Sequence, residues 1–154
     1  MGEIMTDAAE RPSSRLSRPL VIAAAAFAAS TAFGSVVAAR ENVQGAPLGI
    51  RLPISVRTGL LAGWGSGLSA PWPMPVVALI AALRGGPTAG RICAAIGAGV
   101  IVGTVVEPVT WSYTSLLNHI VMIGNLGSGA ALIREGWRAS RPRTRSEVPK
   151  TRAP

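Results

Sequence analysis

The sequence predicts an all-α integral membrane protein, an antiparallel bundle of four transmembrane helices in which the second is kinked or broken at a PWPMP motif. Three observations predict it. The chain of 154 residues is 49% hydrophobic and only 14% charged, too little polar surface to coat a soluble domain of that size. Its apolar residues fall into four runs of about 19–26 residues, each long enough to cross the hydrocarbon core. The 15 lysines and arginines, against 7 acidic residues, gather at the ends of those runs, which is a signal of topology and not of nucleic-acid binding.

Residues 1–18 hold Arg11, Arg15 and Arg18 with Pro12, Ser13 and Ser14 and no helical period, so they read as a flexible cytoplasmic tail. The first span follows over 19–39, bracketed by Arg18 and Arg40. Its rival reading is a cleaved signal peptide, since the run closes on the small residues Val37, Ala38 and Ala39. The apolar stretch exceeds the roughly 7–15 residues of a signal core, and a retained helix is the expectation.

Between Arg40 and Arg57 the chain alternates, with Leu48, Ile50, Leu52, Ile54 and Val56 separated by Gly49, Arg51, Pro53 and Ser55. Period two predicts an extended piece, and Pro53 argues against a central strand. The second span, 58–83, is longer than a straight crossing needs and carries Pro71, Pro73 and Pro75 near its middle. Prolines there forbid a continuous helical hydrogen-bond ladder. Gly59, Gly63 and Gly67 repeat every fourth residue ahead of the break, predicting a close helix-packing face. A broken helix with freed backbone groups is also how many transporters build a midplane site.

RGGPTAGR, 84–91, predicts a tight turn without a phosphate-loop lysine. The third span, 92–111, places Ala95, Gly99, Gly103 and Glu107 four residues apart, a strip of small residues leading to the only acidic residue inside an apolar run. Trp111 and Tyr113 suit the membrane interface. The fourth span, 115–133, contains Asn118, His119 and Asn125. From 134 to 154 the chain is basic and rich in proline and serine. It is expected to be a disordered cytoplasmic tail that adheres to anionic lipid headgroups. Counted by side, three basic residues precede the first span, two lie in the second connection and seven in the tail, against three in the first connection. Both termini are therefore expected in the cytoplasm of a multi-pass protein of the cell membrane.

The candidate proton, ion or ligand site comprises Glu107, His119, Asn118 and Asn125. Glu107 and His119 lie six residues either side of Tyr113, so an antiparallel hairpin brings them to one depth, where a carboxylate and an imidazole can share a proton. Glu107 is also about 6 Å along a helix from Trp111, and a snorkelling role competes. Asn118 and Asn125, one heptad apart, fit interhelical hydrogen bonding; Asn125 together with the broken second helix is the sharper ligand-site hypothesis. The single cysteine, Cys93, allows no internal disulfide and no metal-ligand spacing, so no metal or cofactor is expected. No nucleophile motif or nucleotide loop accompanies the lone histidine, and enzyme chemistry is not expected. Two functions fit: association through glycine faces, as a homo-oligomer or an accessory subunit of another membrane protein, and a small proton- or cation-coupled transporter or channel component using Glu107 and His119.

Overall fold

The computed structural model describes residues 16–46, 53–112 and 115–141, the side chain of Val109 excepted. Its regular elements are all helices: α1 (Arg18–Glu41), α2 (Val56–Leu61), α3 (Pro73–Arg84), α4 (Gly86–Val106), α5 (Pro108–Ser112) and α6 (Leu116–Ser140). Three of these, α1, α4 and α6, are long and apolar enough to cross a membrane. Residues 1–15, the first part of the alternating stretch, Tyr113 and the tail beyond 141 lie outside the described residues.

Local chemistry sets the helix ends. α1 opens with a proline in its first turn and closes at Asn42, whose left-handed backbone (φ 53°) turns its N–H back to the Ala38 carbonyl. Ser55 caps α2 by accepting the Thr58 N–H at 3.1 Å.

Where one long span over 58–83 is expected, the chain forms two short helices joined by 62–72. α2 is about 9 Å long and α3 about 18 Å, neither enough to cross alone. The interruption begins at glycines ahead of the prolines and reaches only the first two residues of the motif, Pro71 and Trp72. Gly63 and Gly65 end α2 with φ of 82° and 80°, conformations only glycine adopts readily. Pro73 and Pro75 instead occupy the first turn of α3, where a missing N–H costs nothing because no helical partner exists for it. The same backbone cancels the expected glycine face, since only Gly59 of Gly59, Gly63 and Gly67 is helical.

Two other boundaries move. The turn expected over 84–91 contracts to Gly85, and α4 begins at Gly86. α6 runs past the apolar stretch to Ser140, so the first seven residues of the expected tail are helix, with Glu135 accepting from Arg138 and ion-paired with Arg134.

Two buried clusters record the packing order. Leu20, Ala24 and Phe27 of α1 meet Ala78 and Ala82 of α3, Cys93 of α4 and Leu132 of α6. Val37 and Ala38 at the far end of α1 meet Val56 of α2, Leu68 of the connecting loop and Val121 of α6.

α4 and α6 form the most extensive helix contact, and glycine makes it possible. A Cβ on Gly90 would lie 2.5 Å from the Gly136 carbonyl oxygen, and one on Gly97 2.5 Å from that of Gly129. The two glycine pairs are one heptad apart on each antiparallel helix, so the backbones touch at two levels. The small strip singled out from the sequence is a different one. A Cβ on Gly103 would meet nothing within 4 Å, and one on Gly99 would touch only the Met74 methyl at 3.4 Å.

Candidate functional site

The face of α4 that carries Gly99 and Gly103 looks into a cavity of about 250 Å³. Val100, Thr104 and Glu107 continue that wall, and residues 64–71 of the interrupted segment form the opposite one. Met74, Asn125, Gln44, Gly45 and the start of α2 also line it. The walls are largely apolar.

Pro108 places the carboxylate. A residue before proline is pushed out of the helical region, and Glu107 is extended (φ −80°, ψ 110°), terminating α4. Glu107 is 9% exposed. Its Oε1 accepts the backbone N–H of Ala46 at 2.8 Å, which ties the segment after α1 to the end of α4. Among the described residues Oε2 has no hydrogen-bond partner. The break also frees carbonyls in the last turn of α4, and one of them, Val105 O, accepts Trp111 Nε1–H at 2.9 Å.

Asn125 holds the opposite wall in place. Its Nδ2 donates to the Leu68 carbonyl at 3.1 Å and its Oδ1 accepts the Ser30 hydroxyl at 2.8 Å. One side chain on α6 thus fastens both α1 and the loop of the interrupted segment. On the other side of Leu68 stands Gly34 of α1, where any Cβ would collide with the same carbonyl oxygen. The loop is further closed on itself: Ser66 and Ser69 exchange backbone hydrogen bonds of 3.1 and 3.2 Å and their hydroxyls lie 2.9 Å apart. Gly65 permits this, because a Cβ there would lie 2.5 Å from the Ser69 carbonyl oxygen.

The four sequence candidates do not form one site. Glu107 and Asn125 both line the cavity. Asn118 is buried but lines no part of it. His119 is exposed, with Nδ1 2.9 Å from the Ser115 carbonyl oxygen of its own helix. The expected Glu107–His119 pair is not among the contacts of the described residues. Equal depth was the ground for expecting it, and depth does not fix azimuth: Pro108 turns Glu107 inward while His119 lies on the outer face of α6. Sequence reasoning missed the contributions of Ala46 and of Gly65 to Ala70. The glycines in GWGSG were the available signal, since three in five residues are hard to reconcile with an uninterrupted helix.

No cluster of histidine, cysteine and acidic residues suited to a metal ion occurs among the described residues. The chain matches no family model, no curated protein and no solved structure.

Proposed function

We propose that this is an integral membrane protein of the cell membrane that crosses four times, with α2, its loop and α3 together making the second crossing, and that it binds a small ligand as a transporter or channel-type component. The order of contacts along α1 supports the crossing. Val56 packs at the C-terminal end of α1 and Ala82 near its N-terminal end, so 56–84 runs the length of α1 in the opposite direction. Four crossings leave both termini on one side, the cytoplasmic side by arginine distribution. Arg18, Arg84, Arg91 and Arg134 then gather at that face, suited to anionic lipid headgroups.

One observation carries the functional reading: a largely apolar cavity between an interrupted crossing and α4, with a buried carboxylate in its wall. Concave, mostly apolar sites with a few placed polar groups are where small molecules bind, and interrupted crossings supply the backbone groups that transporters use. His119 has no part in it.

Association as a homo-oligomer or accessory subunit is the second reading. It is favoured by Gly127, exposed on α6 with open space where a Cβ would stand.

Native mass spectrometry of the complex released from membranes tests the two. A small molecule retained by the wild type and lost from Gly103→Leu, which fills the cavity, is the expected result. A stoichiometric protein partner, unaffected by Gly103→Leu and with no small molecule bound, would favour the accessory reading instead.

A further inference from the structure

We infer that the cavity accepts a small organic cation, an ammonium group carried on a short apolar body, with Glu107 as its counter-charge. The inference rests on the reading of the cavity as a ligand site and adds the chemistry of the occupant. Three features converge on it.

The first is charge. The chain carries a formal +8, yet among the described residues no lysine, arginine or histidine lines the cavity and Glu107 is the only charged one that does. A lone carboxylate among low-dielectric walls focuses a negative potential that favours cations and repels anions.

The second is the carboxylate's partial satisfaction. Ala46 N–H occupies Oε1 and Oε2 has no partner among the described residues, so a side chain only 9% exposed keeps one acceptor for a donor or a positive charge. Leaving such a group unmatched is costly, and a cationic ligand removes the cost. The negative end of the α4 dipole lies at the same point, because α4 stops at Val106, and it too favours a cation.

The third is the remainder of the lining. Val100, Met74, Ala70 and Pro71 offer apolar contact, and Trp64, 70% exposed, borders the cavity, an aromatic residue of the kind that attracts cations. A hard metal ion asks for six or more oxygen ligands, or keeps its water. This lining suits an ammonium with an apolar body better, because it offers a single carboxylate on largely apolar walls.

The test uses the full-length protein in lipid nanodiscs and equilibrium binding of three probes of similar size, benzyltrimethylammonium, benzyl alcohol and phenylacetate, with sodium chloride as a fourth. Wild type is expected to bind the cation tightest and the anion not at all. Glu107→Gln is expected to weaken the cation by about tenfold or more while leaving benzyl alcohol unchanged. Cation binding untouched by Glu107→Gln would overturn the inference. So would wild-type protein that prefers the neutral or anionic probe, a result that leaves the ligand-site reading standing and needs no variant to fold. Stabilisation by sodium alone, with no response to the organic cation, would replace the inference with a metal-ion site. Failure of every probe and of sodium to bind wild type would remove both the inference and the reading beneath it.

Discussion

The two faces of α4 carry the same residue type to opposite ends. On one face Gly90 and Gly97 are buried and let the α6 backbone come so close that no side chain fits between. On the other, Gly99 and Gly103 are exposed and stand back from their neighbours, and the space they leave is cavity. Small residues in a membrane helix thus mark either the closest contact or the lack of one. What separates the two here is the partner: α6 presents Gly129 and Gly136 in register, whereas the interrupted segment presents a loop held at a distance by Asn125 and Gly34.

That contrast can be broken most severely at the packed face. Gly97→Leu has to displace the Gly129 backbone and the Leu132 Cβ, and about 3 kcal/mol or more of destabilisation is expected. Thermal unfolding in detergent should register it as a large fall in midpoint or as failure to accumulate folded protein. Gly34→Ala comes next. The obstacle is the Leu68 carbonyl and not a mobile side chain, so the loop must shift, at a cost of about 1–3 kcal/mol. Increased protease cleavage within 62–72 would report that shift, and an unchanged digest would argue that Gly34 does not press on the loop.

Asn125→Ala removes the hydrogen bonds to Leu68 and from Ser30. Interhelical bonds of this kind contribute about 1–2 kcal/mol in lipid. A double-mutant cycle with Ser30→Ala measures the share that runs through α1, and strict additivity would show that the two side chains do not interact. The smallest effect is expected at His119. Its side chain is exposed and bonded only within its own helix, so His119→Ala should change stability by no more than about 0.5 kcal/mol and leave ligand binding as it is. Loss of binding in that variant would return histidine to the site.

Much of this was legible from residue order. The apolar runs locate α1, α4 and α6, although α4 begins before Arg91 and α6 continues past Arg134. An interruption between Thr58 and Leu83 was also legible, but its extent was not: proline is the stronger helix breaker in a helix interior, and nothing in PWPMP says that Pro73 and Pro75 stand at a helix start. Glycine periodicity misled for a related reason. A spacing of four assumes a continuous helix, and Gly63 and Gly67 lie beyond the end of α2. The α4–α6 contact uses a spacing of seven, whose register appears only when both helices are in place. Glu107 stood out as the one acid within an apolar run, but Pro108 decides its direction and Ala46 its partner. That second fact belongs to a contact across 61 residues, which local pattern cannot carry.

The two-faced account of α4 is tested most directly by the unfolding midpoint and ligand content of Gly103→Leu measured beside Gly97→Leu. The account predicts that Gly103→Leu keeps the wild-type midpoint and loses the cavity's occupant, while Gly97→Leu loses the fold. A Gly103→Leu protein as unstable as Gly97→Leu would contradict it, because Gly103 would then be a packing residue and the space beside it no cavity.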